Sequence, residues 1–238
     1  MLAVGSLRDF ERFLRACALR SAQQLNKSDL ARDVGISVPT AGEWLSVLQT
    51  LGTVHLLEPW FGNLNKRVVK TPKLYLAEPA LMAHLCGLQG EAMTRSPLIG
   101  ALWETLVYAE LRKQLAFRGE TPRLWYYRDQ SQLEVDFIHE RGTELDLFEC
   151  KWTASPQRSM AANLDKLQKV ISDRSPLFRV GALKLVSRCD TAFTSQGLTH
   201  VSPVAGLIDS VERPRVPRHP AYRCGCTGPA WPSPEAQR

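Results

Sequence analysis

The stretch that most restricts the fold is Leu133–Trp152, LEVDFIHERGTELDLFECKW. Two runs of alternating character, 133–139 and 146–152, flank a polar turn, which is the pattern of a β-hairpin. Alternation puts Leu133, Val135 and Phe137 on one face of the first strand and Glu134, Asp136 and Ile138 on the other. In the second strand Phe148, Cys150 and Trp152 share a face, and Glu149 and Lys151 share the opposite one. A pairing that joins the apolar faces against a core therefore also gathers Asp136, Glu149 and Lys151.

Carboxylates converging on an apolar hairpin are costly unless a cation neutralises them. Mg²⁺ takes one or two carboxylates and completes its shell with water and phosphate oxygens. A lysine beside it can hold or deprotonate an attacking water, because nearby positive charge and burial lower its pKa. Lewis-acid stabilisation of a phosphorane-like transition state would complete a phosphodiester-hydrolysing site. The expected roles are Asp136 and Glu149 as metal ligands and Lys151 as the group that positions or activates the nucleophile. Glu104, on a helix predicted over 96–119, would orient a metal-bound water. The alternative is a salt-bridged hairpin with Glu149 on Lys151 and Asp136 capping a turn; E-x-K alone is common.

The N-terminal part has a different grammar. Leu7, Phe10, Phe13, Leu14 and Cys17 recur at helical spacing, with Arg8, Glu11, Arg12 and Arg15 between them. Asn26 or Ser28 can cap a short helix to Val34, Gly35 supplies a tight turn, and Ser37 with Pro39 can open a second helix. Trp44, Leu45, Leu48 and Leu51 give that second helix its apolar face. Helix, glycine turn, helix, then strands at 54–57, 67–70 and 73–76 describe a winged helix-turn-helix. Lys66, Arg67, Lys70 and Lys73 would lie on the wing. They are candidate phosphate contacts for DNA, or else a solvated edge on a protein-docking module. The second helix exposes Thr40, Glu43, Ser46 and Gln49 and no arginine, which weighs against base readout.

Further strands are expected at 124–128 and 179–187, with a helix at 159–173 between them. Helix, strands, helix, strand is an α/β (α+β) layout around a mixed sheet. The expected division is a winged helix-turn-helix at 1–95, the mixed-sheet domain at 96–208 and an irregular or disordered tail at 209–238. The tail holds six of the prolines within its 30 residues. A metal site at its Cys224-Gly-Cys226 lacks a second ligand pair. The net charge of +6 permits a nucleic-acid partner without demanding one. Six scattered cysteines with no CxxC pair, no secretory signal and no membrane-spanning apolar run lead to the expectation of a cytoplasmic protein with reduced thiols.

The segments LRDFERFLR, DLARDVGISVPT, NLNKRVVKTPKLYL, IGALWETLVYAEL, YYRDQSQLEVDF and FECKW cover much of residues 7–207. Together they resemble the C-terminal half of a large prokaryotic family of AAA+-type ATP-binding proteins, a winged helix followed by a PD-(D/E)XK restriction-endonuclease-like domain of unknown function. The resemblance implies Glu104, Asp136, Glu149 and Lys151 as active-site positions and Mg²⁺ as cofactor. Glu110 and Arg128 match further recurrent polar positions. It also implies DNA, an AAA+-type ATPase module or another protein as partner, and no membrane. The chain departs from that pattern in carrying no G-x-x-x-x-G-K-[ST], so no P-loop nucleotide site is expected in it. It therefore reads as a truncated or split member. Glu78-Pro79 also stands where relatives carry an Asp-Thr-Gly-like turn.

Overall fold

The protein is described by a computed structural model covering residues 7–62, 69–202 and 207–208. Helix α1 (Leu7–Leu19) is followed by a two-residue strand β1 (Gln23–Gln24), α2 (Lys27–Val34) and α3 (Val38–Thr50). The local signals at these ends are the expected ones. The Asn26 side chain accepts from the amides of Ser28 and Asp29, Gly35 sits at φ +81°, and Ser37 caps α3 through the Thr40 amide. Leu51, expected on the buried face of α3, is the residue after the helix and is exposed.

Strands β2 (Val54–Leu57) and β3 (Lys73–Leu76) complete a three-stranded antiparallel sheet in the order β1-β3-β2. Three helices and this sheet make a winged-helix arrangement. Half of the expected strand at 67–70, with Lys66 and Arg67, lies outside the described residues, as do residues 209–238, and Val69 and Lys70 are not in a strand. Short helices α4 (Pro79–Leu85) and α5 (Gly90–Thr94) lead to α6 (Ile99–Phe117).

The second half is a mixed α+β layer structure. Strands β4 (Leu124–Arg128), β5 (Glu134–Arg141), β6 (Glu144–Cys150), β7 (Arg179–Val186), β8 (Phe193–Ser195) and β9 (Leu198–Val201) form one sheet in the order β4-β5-β6-β7-β9-β8. The first three are antiparallel, and β6-β7 and β7-β9 are parallel. The crossover from β6 to β7 runs through a 3₁₀ turn and α7 (Ala162–Arg174). Both faces are covered. Trp103, Val107, Tyr108 and Leu111 of α6 pack with Phe137 and Phe148, while Leu164, Leu167 and Ile171 of α7 pack with Leu145, Leu147 and Ile138.

That second covered face corrects the simple alternation. Trp125 pairs with Ile138 but Tyr127 with Val135, so β5 carries one extra residue opposite Tyr126. This is a β-bulge at Asp136-Phe137. Val135 and Ile138, three residues apart, both belong to the α7-side core, while Phe137 packs on the α6 side. The helix bearing Glu104 packs on the Phe137 face, and Glu104 there shares Lys73 with Glu134 and Asp136.

The described residues form one compact unit, and packing crosses the expected 95/96 boundary. Tyr75 of β3 is fully buried, stacked on Tyr108 of α6 at 4.4 Å and 5.8 Å from Phe137. Ser21 donates or accepts with Thr105 at 2.8 Å and accepts from the Leu76 amide. Below the wing, Trp60 donates its amide to the Tyr126 carbonyl at 2.7 Å, and Val69 donates to the Arg128 carbonyl at 3.0 Å. Tyr126 also donates its hydroxyl to the Thr71 carbonyl. The winged-helix sheet thus abuts the β4 edge and closes it.

Because Phe137 is fully buried between rings from both halves, Phe137→Ala is expected to cost about 3–5 kcal/mol. The loss should appear in a single urea transition followed by both tryptophan fluorescence and circular dichroism. Two separated transitions would show that the halves unfold independently.

Candidate active site

The chemistry gathers where three elements meet: the bulge in β5, the C-terminal end of β6, and the face of α6 turned toward β3. Asp136 Oδ2 accepts from the Cys150 amide at 2.8 Å, which fixes its carboxylate against the end of β6. Glu149 is 4 % exposed and takes a hydrogen bond from Lys151 Nζ on Oε1 at 2.7 Å. Its other oxygen, Oε2, is buried with no hydrogen-bond partner. Glu104, on α6, accepts on Oε1 from the Tyr75 hydroxyl at 2.6 Å and from Lys73 Nζ at 3.0 Å.

Lys73 is the residue that sequence reasoning placed wrongly. Expected on an exposed wing contacting phosphate, it is 3 % exposed, with Nζ 2.6 Å from Glu134, 3.0 Å from Glu104 and 3.9 Å from Asp136. A strand position facing three carboxylates across a domain junction keeps an ammonium buried at lower cost than a solvent-facing one would suggest. Of the other wing cations, Lys70 is exposed, and Lys66 and Arg67 lie outside the described residues. Tyr75 was missed altogether. The signal was there in Lys73-Leu74-Tyr75-Leu76, where period-two alternation puts lysine and tyrosine on one face.

Burial and the charge of Asp136 push Glu149 up to about 8, against the pull of Lys151. Burial and Asp136 likewise raise Glu104 to about 7, with Lys73 and Tyr75 opposing. Burial alone would lower Lys73, but Glu104, Asp136 and Glu134 outweigh it and hold it well above the usual lysine range. Lys151 behaves the same way: burial lowers it, and Glu149 and Asp136 raise it further. This corrects the expected lysine base. Lys151 stays an ammonium, and the carboxyls raised toward neutrality are Glu104 and Glu149. Glu110 pairs with Lys113 at 3.3 Å, and Arg128 pairs with Glu134 at 2.7 Å.

The four carboxylates Glu104, Glu134, Asp136 and Glu149 face three cations, Lys73, Arg128 and Lys151. Fully ionised, the set would leave one formal negative charge over, and the raised Glu149 and Glu104 meet that excess by holding a proton in the metal-free state. Among the described residues no group of three or more His, Cys, Asp or Glu side chains is placed to enclose a metal ion. A closed protein cage is therefore absent from them. An open site is another matter: the spare Glu149 oxygen beside Asp136 matches what Mg²⁺ takes from protein, one or two carboxylates with the remaining positions for water or phosphate. The donor set fits that ion.

Two family models match the chain. Residues 2–92 match a domain of unknown function (DUF8612), and residues 99–205 match another domain of unknown function (DUF4143). The chain is also similar to the uncharacterized protein Rv2008c of Mycobacterium tuberculosis, at 35% identity over 149 residues, which is 61% of this chain and 33% of the relative. The uncharacterized protein Mb2031c of Mycobacterium bovis matches to the same extent. The chain thus spans about a third of the length of the curated relatives it matches. No helix among the described residues is long and apolar enough to cross a membrane.

A carboxyl whose native pKa is raised to about 8 makes the folded state hold a proton that the unfolded chain releases above about pH 4.3. Its contribution is complete below that value and is lost as pH rises through about 8. Glu149→Gln should remove this loss. In metal-free buffer, urea denaturation should show the variant gaining on wild type by at least about 1.4 kcal/mol, one pKa unit's worth, between pH 5 and pH 8.5. A difference that does not change with pH would mean Glu149 titrates normally.

Proposed function

We propose that the hairpin site is a Mg²⁺-dependent phosphodiester-cleaving centre of the PD-(D/E)XK nuclease kind, set beside a winged helix in a piece of an AAA+-type ATP-binding protein. The observation that carries the reading is the buried, unpartnered Glu149 oxygen beside Asp136, with the Lys151 ammonium just past the end of the same strand. Asp136 and Glu149 are the residues that would hold the ion. Bound there, the ion would supply Lewis-acid stabilisation to a phosphoryl oxygen.

The protein's own groups divide the remaining work. Lys151, kept charged by Glu149, offsets negative charge building on the phosphate and orients the attacking water. Glu104, raised to about 7, is suited to accept a proton from that water near neutral pH. Tyr75 and Lys73 hold Glu104 by its Oε1 and so fix the orientation of its carboxyl plane. The Cys150 amide holds Asp136 in the same sense.

The order of winged helix and mixed sheet agrees with the AAA+-type tail that the sequence resembles, and the unmatched two thirds of each mycobacterial relative leaves room for a further module. A cytoplasmic location goes with that assignment. DNA binding would rest on Lys66, Arg67 and the exposed Lys70, since Glu43 is the charged group that α3 exposes.

A second reading is a catalytically silent docking or regulatory module of such an ATPase. It is favoured by one observation: the base of the wing is hydrogen-bonded to β4 rather than standing free to enter a DNA groove. Plasmid nicking in Mn²⁺ separates the two. The nuclease reading expects metal-dependent nicking that falls at least about 100-fold in Asp136→Asn and in Lys151→Ala, in line with loss of a charged transition-state partner. Unchanged nicking in Lys151→Ala would overturn the assigned roles. Absence of nicking on plasmid and single-stranded DNA alike would favour the docking module.

A further inference from the structure

The acidic site is built from both halves of the chain, and the winged-helix half contributes its cation. Lys73 is the first residue of β3, and its backbone is registered on two sides, opposite Leu57 of β2 and Gln24 of β1. Its ammonium is therefore held on a rigid strand and not on a loop. It reaches Glu134, Glu104 and Asp136 within 2.6–3.9 Å and lies 5.4 Å over the Tyr126 ring. Its N–H groups donate to Glu104 and Glu134, and its charge also sits 3.9 Å from Asp136.

A divalent ion between Asp136 and Glu149 would share Asp136 with this ammonium. Two cations on one carboxylate repel, and at such short range the repulsion is only partly screened. Lys151, the other lysine of the site, differs in kind: it is 41 % exposed and can turn toward solvent, whereas Lys73 is 3 % exposed and cannot.

We infer that Lys73 is a tethered counter-ion that competes with the divalent cation for Asp136, so that the position of winged-helix strand β3 sets how readily the site takes up metal. The inference rests on reading the site as a cation site, and it adds the part that controls occupancy. With Lys73 on Asp136 the acidic set is neutralised and held in shape, and metal binding is weak. When Lys73 gives up Asp136 for Glu134 and Glu104 alone, the ion gains a full carboxylate. Any partner that shifts β3 or the wing joined to it then changes the site's affinity for metal without touching Glu149 or Lys151.

The test is calorimetric titration of Mn²⁺ into the full chain, wild type and Lys73→Met, counting only the binding that is lost in Asp136→Asn. Methionine keeps the unbranched stem beside Tyr126 and removes the charge. Lys73→Met is expected to bind Mn²⁺ at least tenfold more tightly than wild type. Equal or weaker binding in the folded variant overturns the inference and leaves the cation site standing. Absence of Asp136-dependent binding in both proteins overturns the cation site itself. Should Lys73→Met fail to fold, Lys73→Gln carries the same test, since it removes the charge and keeps a polar head for Glu104 and Glu134. It too should bind Mn²⁺ several-fold more tightly than wild type. Equal or weaker binding would contradict the competition.

Discussion

A lysine ammonium withdrawn from water is tolerated only where fixed negative groups replace its hydration, and this requirement organises the protein around Lys73. Its three carboxylate neighbours come from α6 and from β5, while Lys73 itself comes from β3. The ion pair therefore binds the winged helix to the mixed sheet at the point where the chemistry is gathered. It also explains why the acidic hairpin does not repel itself apart. Removing the lysine would leave Glu104, whose ionisation Asp136 already opposes, without the cation that offsets that opposition.

The surrounding structure holds that arrangement rigid. Tyr75, two residues beyond Lys73, stacks on Tyr108 and donates to Glu104, so one strand face supplies both the cation and the hydroxyl that orient the same carboxylate. Tyr126 does a matching job on the sheet side. Its backbone pairs with residues 58 to 60, its hydroxyl reaches Thr71, and the bulge opposite it displaces Asp136 from regular alternation. The wing base, the bulge and the acidic cluster are thus parts of one junction, and the two segments with separate family matches share a single site.

Much of the local structure could be read from the sequence because its causes are local. Asn26, Gly35, Ser37 and Pro39 mark helix ends through capping and backbone preference, and the α2, α3 and β4 spans follow from such signals and from apolar periodicity. The acidic hairpin was equally visible, since an ionic residue at every second position of an apolar strand is a pattern in itself. What could not be read depends on pairing between distant segments. The bulge is a property of register between β4 and β5, and it reversed which helix faces Phe137. Lys73 looked like any wing lysine until α6 delivered Glu104 31 positions later in the chain. Lys151 was expected to have a lowered pKa because burial was weighed more heavily than the two carboxylates that come to surround it.

The proposed cation site of Asp136 and Glu149, with its occupancy shared with Lys73, is open to direct observation. The most direct measurement is a crystal structure of the protein soaked in Mn²⁺, with anomalous diffraction collected at the manganese edge. The account predicts an anomalous peak within bonding distance of Glu149 Oε2 and Asp136 Oδ1, with Lys73 Nζ drawn away from Asp136 and still on Glu134 and Glu104. A soaked crystal with no peak there, Lys73 unmoved on all three carboxylates, would contradict it.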